Sequence, residues 1–198
     1  DIFYEFIKVE EFLNGNLARI SLKDVELHVN YLLIISTSAG LWSYNIGDTI
    51  KFTSLEPFRI IVTGRIKHFL SAFGEHVISE EVEKAMETAT KLHNVAIREF
   101  TVAPNINPKE MLPHHEWYVE FESLPKDMLA FSEALDKEMT RLNIYYKDLI
   151  DGKILKSLEV ISVIRGGFNQ YMKSEGRLGG QNKVPRLSND RKIADKLK

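Results

Sequence analysis

The sequence predicts an α+β protein in two parts, a β-rich segment over residues 1–63 followed by a small α+β unit over 64–198. Three observations lead there. Up to residue 63, short runs rich in β-branched and aromatic residues are separated by Asn-Gly, Ala-Gly and Gly-Asp punctuation. Beyond Gly64, helically spaced apolar residues alternate with strand-like runs. The 198 residues are 44% hydrophobic and 27% charged, which fits an ordinary soluble globular chain and excludes a disordered one.

In the first part, residues 3–9, 26–36, 41–52 and 59–63 read as strands, the second containing the run Tyr31-Leu32-Leu33-Ile34-Ile35. A sheet this small leaves edges open, so these strands are expected to belong to a larger body upstream. The start at Asp1, without an initiator methionine and directly into Phe3-Tyr4-Glu5-Phe6-Ile7, looks like a cut through a longer protein. In the second part, Ser79 can cap a helix whose acidic first turn suits the helix dipole, with Val82, Ala85, Met86 and Ala89 on one face. Strands are predicted over 95–102 and 116–121, the latter alternating Trp117, Val119 and Phe121. A Pro-containing loop over 105–113 separates them. Pro125 opens a helix with Met128, Phe131, Leu135, Met139 and Leu142 on its buried stripe, Gly152 stops it, and a third strand-like run covers 158–164.

Bulk properties exclude several function classes. A net charge of −2 gives no general attraction to nucleic acid or acidic membranes. No apolar run approaches the roughly 18 residues of a membrane span, and no signal-like segment opens the chain. Zero cysteines exclude a disulfide framework and Cys-ligated metals and are compatible with the cytoplasm. His114-His115-Glu116 invites a zinc reading, but adjacent strand residues point to opposite faces and no third ligand stands at a recognisable spacing. No resident metal is therefore predicted.

The most informative feature is an ordered pair of segments. Ser43-Tyr44-Asn45-Ile46-Gly47-Asp48-Thr49 is followed by Thr63-Gly64-Arg65-Ile66-Lys67-His68-Phe69-Leu70-Ser71-Ala72-Phe73-Gly74, then by the acidic helix start Ser79-Glu80-Glu81-Val82-Glu83. Order and spacing resemble the Tyr-x-x-Gly-Asp and Gly-Arg hinge pattern of the acyl-CoA synthetase, peptide-synthetase adenylation-domain and luciferase superfamily. Within it, Phe3-Tyr4-Glu5-Phe6-Ile7, Ala39-Gly40-Leu41-Trp42, the stretch from Thr63 to Glu75, and Leu178-Gly179-Gly180-Gln181-Asn182-Lys183-Val184-Pro185-Arg186 resemble the auxin-responsive Gretchen Hagen family of acyl acid amido synthetases, in its bacterial-type form.

The resemblance implies that residues 1–63 are the C-terminal, β-rich end of a large adenylate-forming domain. Residues 64–198 would be a mobile lid hinged near Arg65 and Lys67. It further implies ATP with Mg2+, a carboxylic acid substrate, and an amino acid or other amine as acceptor. Residues 1–198 alone, lacking the upstream phosphate loop and acyl pocket, are expected to be inactive.

Site residues carry over by position. Asp48, at a Gly-Asp turn, can accept hydrogen bonds from both ribose hydroxyls; its plainer role would be closing a β-turn. Arg65 offers a guanidinium fork to ribose or phosphate oxygens, and Lys67 is the implied pivot. Lys183 resembles the C-terminal lysine that enters the site during adenylation, where two anions meet and a cation lowers the barrier. The alternative for Lys183 is a solvated charge on a basic, flexible tail.

Tyr4 is placed to lie against adenine, or simply in the core. Ser36-Thr37-Ser38-Ala39-Gly40 lacks the lysine of a phosphate loop and reads as a turn. Two positions depart from relatives: Ser43 stands where a basic residue is usual, and the loop at Glu75-His76 replaces a plant lysine with the weaker, pH-dependent charge of His76.

Two other functions compete. One is thioester formation with coenzyme A, disfavoured by Phe3-Tyr4-Glu5-Phe6 and by Gln181-Asn182-Lys183-Val184-Pro185-Arg186. The other is a non-catalytic domain whose basic segment 177–198 touches nucleic acid, although no aromatic follows Tyr171 to stack on bases.

Overall fold

The computed structural model describes residues 1–66, 69–177, 179 and 182–198. The chain divides into two compact units, Asp1–Lys67 and His68–Lys198.

The first unit is a four-stranded antiparallel meander in the order β1-β2-β3-β4: β1 (Ile2–Lys8), β2 (Asn30–Thr37), β3 (Tyr44–Leu55) and β4 (Phe58–Arg65). A short helix, α1 (Val9–Leu13), follows β1. The predicted strand over 26–36 starts only at Asn30, after a 3-10 turn at Leu22–Asp24 and a left-handed residue at His28 (φ 64°). β4 runs past residue 63, because Thr49 and Asp48 go on pairing with Gly64 and Arg65. One sheet face buries Ile50 with Phe6, Tyr31 and Phe52, and the three rings meet edge to face at 5.3–6.1 Å. The other buries Ile7, Leu32, Ile34 and Ile66. The edge strand β4 leaves Ile60, Ile61 and Val62 exposed, the kind of open apolar edge that soluble proteins normally cover.

The second unit opens with a two-stranded ribbon, β5 (Phe69–Leu70) and β6 (Val77–Ile78), around the loop 71–76. Its main sheet has the order β7-β8-β9: β7 (Ile97–Asn105) lies antiparallel to β8 (His114–Phe121), and β9 (Glu159–Ser162) parallel to it. Every residue of β8 is buried, since helices cover both faces. On one face, α2 (Ser79–His93) and α3 (Met128–Leu142) pack Val82, Ala85, Met86, Phe131, Leu135 and Met139 against Phe100, Trp117 and Val119. On the other, α5 (Gly167–Ser174) and α6 (Ala194–Leu197) bring Phe168, Met172, Ala194 and Leu197 onto Tyr118 and Ala103.

Two expectations about helix ends change. The cap of α2 is not Ser79: helix geometry already begins there, and the Glu81 carboxylate reaches back to accept the Ile78 N–H at 3.0 Å. The helix predicted to run from Pro125 to Gly152 is two. It starts at Met128, behind Asp127, whose carboxylate accepts the Ala130 N–H, and breaks at Asn143. The Asn143 side chain accepts the Tyr146 N–H at 2.7 Å, capping α4 (Ile144–Asp151).

The C-terminal stretch is not a free basic tail. It docks on the β7 edge, where Val102 donates to the Arg186 carbonyl at 2.9 Å and accepts from the Ser188 N–H at 3.0 Å. Arg186 pairs with Glu83 and Glu99 and lies 4.5 Å from the centre of the Phe100 ring. Arg191, Lys192 and Lys196 pair with Glu116, Asp190 and Glu175. These pairings lower the free positive charge of the segment without removing it.

Candidate functional site

The Gly-Asp motif is a bulge. Two steps on β2, from Leu32 to Ile34, stand against four on antiparallel β3, from Thr49 back to Asn45, so β3 carries two extra residues in the stretch that holds Gly47 and Asp48. Gly47 takes φ 83°, a conformation open to glycine, and its N–H is held by Asn45 Oδ1 at 2.8 Å. Bulges of this kind lift a side chain out of the regular alternation and often sit beside sites. Here the result is that Asp48 stands directly opposite Arg65 on β4, with Asp48 Oδ1 accepting from Arg65 Nε at 2.9 Å. Both side chains reach solvent, 27% and 65% exposed, so the pair contributes little to stability. What it does is hold a carboxylate and a guanidinium side by side on the β3–β4 ladder.

Tyr4 is not in the core. It pairs with Ile35, as Tyr44 does from the other side, so two half-exposed phenol rings flank one position of β2. Arg19 was missed in the sequence. Its Nη1 donates to Ser43 Oγ at 2.6 Å and pairs with Glu5 at 3.1 Å, placing a cation beside Ser43. Its separation of 24 residues from Ser43 hides the relation from motif reading. Lys67, the implied pivot, lies outside the described residues.

In the second unit, Lys183 lines a cleft of about 500 Å3 together with Arg98, Arg165 and Arg177. Arg165 and Lys183 have no ion-pair or hydrogen-bond partner among the described residues, and Arg98 has only Glu122 at 3.8 Å. The two carboxylates of the cleft are already used. Glu99 pairs with Arg186, and buried Glu120 accepts the Gly166 N–H at 2.7 Å and the Phe168 N–H at 3.4 Å, so it fills the N-terminus of α5. The uncompensated charge favours an anion.

The loop 71–76 is anchored from below. Glu75 is fully buried; its Oε1 accepts from His115 Nε2 at 2.9 Å and its Oε2 from the Phe73 N–H at 2.8 Å. The His115 ring lies between those of Phe73 and Tyr146, with centroids at 6.2 and 5.1 Å. Burial pushes the Glu75 carboxyl up, but the hydrogen bond and charge of His115, with two backbone N–H groups, more than offset it and hold the carboxyl below its ordinary value. His76 follows with φ 48°, its Nδ1 2.8 Å from Ser71 Oγ and its ring edge-on to Tyr145. Only Nε2 remains for a ligand.

Comparison with known proteins assigns both units. The GH3 family central domain matches residues 1–65 and the GH3 family C-terminal domain matches residues 80–192. The chain belongs to the GH3 family. Among its relatives, the indole-3-acetic acid-amido synthetase GH3.4 of Arabidopsis thaliana is 27% identical, the match covering 93% of this chain and 33% of that protein. The indole-3-acetic acid-amido synthetase GH3.8 of Oryza sativa subsp. indica is 26% identical over the same shares. The solved structure of the GH3.15 acyl acid amido synthetase superposes with a TM-score of 0.72 at 22% identity, covering 98% of this chain and 36% of that one, which establishes a shared fold. The chain thus spans about a third of the length of the curated relatives it matches. Among the described residues no helix is long and apolar enough to cross a membrane.

Proposed function

We propose that this chain is the C-terminal part of an ATP-dependent acyl acid amido synthetase, which adenylates a carboxylic acid and then transfers the acyl group to an amino acid or other amine. The observation that carries this is the outward-facing Asp48–Arg65 pair on its bulge. A carboxylate can accept from vicinal ribose hydroxyls, and charged acceptors make the stronger bonds; the guanidinium beside it offers the complementary donors. Tyr4 is exposed enough to lie against adenine. The exposed edge of β4 supports a missing N-terminal region that covers it and supplies the acyl pocket.

Residues 64–198 act as the lid in this proposal, turning near Arg65 and Lys67 between the two half-reactions. Lys183 brings a cation to the carboxylate and α-phosphate as they meet, and His76 can give Nε2 to a phosphate oxygen. ATP would come with Mg2+ held largely by phosphates and water. Such a ligase would work in the cytoplasm.

The test is ATP–pyrophosphate exchange by the full-length protein over a panel of carboxylic acids. Asp48→Ala should raise the KM for ATP at least about tenfold, the effect of losing charge-assisted hydrogen bonds, with unchanged thermal unfolding. An unaltered KM would remove Asp48 from the nucleotide site.

A further inference from the structure

On the face of β8 that meets α5 and α6, three acceptor atoms converge. His114 and Glu116 are two apart on β8 and share that face. Glu159 is the register partner of Glu116 across the parallel β8–β9 ladder. His114 Nδ1 lies 3.1 Å from the Leu112 carbonyl, which can only accept, so Nδ1 carries the ring proton. With Nδ1 turned to Leu112, Nε2 faces Glu159 Oε2 at 3.3 Å and Glu116 Oε1 at 3.9 Å.

This nitrogen is sealed off from solvent, the side chain being 1% exposed, and has no hydrogen-bond partner among the described residues. Like charges directly opposite across a ladder repel, and the cations nearby address only the outer oxygens. Arg191 and the Tyr118 hydroxyl donate to Glu116 Oε2 at 2.6 and 2.5 Å, Lys198 stands 4.0 Å from the same atom, and Lys156 takes Glu159 Oε1.

The inner trio has the spacing of a metal's ligands. Its three atoms lie within 4.8 Å of one another. Bonds of about 2.0–2.1 Å in a tetrahedral site place ligand atoms about 3.3 Å apart, the separation of His114 Nε2 and Glu159 Oε2. The orienting contacts are also present: Leu112 fixes the histidine tautomer, and Asn105 Nδ2 donates to Glu116 Oε1 at 2.9 Å. Glu159 is 42% exposed, which leaves a route in and room for a water. An imidazole ligand argues for a first-row transition cation over Mg2+ or Ca2+.

We propose that His114, Glu116 and Glu159 bind a divalent transition-metal cation of the zinc type, which staples β9 to β8. The motif His114-His115-Glu116 could not reveal this. Its third ligand stands 43 positions beyond Glu116 and arrives only through sheet register.

Zinc is the probe. Full-length protein stripped with a chelator and titrated against a chromophoric zinc indicator should take up one equivalent, which His114→Gln and Glu159→Gln each weaken at least about tenfold. Zinc should raise the thermal midpoint of the wild type and leave that of Glu159→Gln unmoved, a variant whose half-exposed side chain makes misfolding no explanation. Uptake unchanged in both variants, no uptake at all, or an Nε2-bound proton persisting on His114 in saturating zinc would each overturn the proposal.

Discussion

Replacing Lys183 with alanine in the full-length protein should slow acyl adenylate formation by about 10²-fold or more, the usual cost of removing a cation aimed at developing charge. Thermal unfolding should not change, because Lys183 is exposed and has no protein partner among the described residues to lose. The defect should be confined to the first half-reaction. Supplying a chemically prepared acyl adenylate with the amine bypasses the step in which two anions meet, so amide release from it should proceed at the wild-type rate. The surroundings of Lys183 sharpen the expectation. Arg98, Arg165 and Arg177 line the same cleft with both of its carboxylates committed elsewhere, so Arg165→Gln should act in the same direction with a smaller effect. Full exchange activity in Lys183→Ala would show that the lysine is a solvated surface charge.

The second large effect is on stability. Glu75→Gln should destabilise the second unit by about 1–3 kcal/mol at pH 7, the cost of disturbing a buried, hydrogen-bonded polar group. The loss is large because the carboxylate is fully buried and both oxygens are used, one by His115 and one by the Phe73 N–H. Its pH dependence has a definite sign. The Glu75 carboxyl is held below its ordinary value of 4.5, so its contribution is complete above about pH 4.5 and disappears as the pH falls through the lower folded-state value. Denaturant unfolding of wild type and variant should therefore differ most near neutrality and converge in acid. Equal stability at pH 7 would show that the pair is not what anchors the loop bearing His76.

Much of the fold was legible because each amphipathic segment repeats its signal. The 82, 85, 86, 89 face of α2 and the 131, 135, 139 face of α3 are buried as their spacing requires, and Trp117, Val119 and Phe121 alternate onto the same core. What the sequence hid were events decided by single polar contacts. Asn143 interrupts a continuous helical stripe by capping a new helix, and Glu81 displaces Ser79 as the group closing the start of α2. The docking of residues 184–197 could not be seen because it depends on β7 presenting a free edge and on buried Glu116 drawing in Arg191. At the site, motif spacing singled out Asp48 and Arg65, but not that a bulge sets them opposite each other. Arg19 and Glu159 were invisible because their partners are distant in sequence.

The most direct measurement is product identification with the full-length protein, ATP and Mg2+, a panel of carboxylic acids, and either amino acids or coenzyme A as acceptor. The proposed ligase should form an amide together with AMP and pyrophosphate, and consume no coenzyme A. A thioester as the product, or no ATP turnover with any acid in the panel, would contradict the proposal.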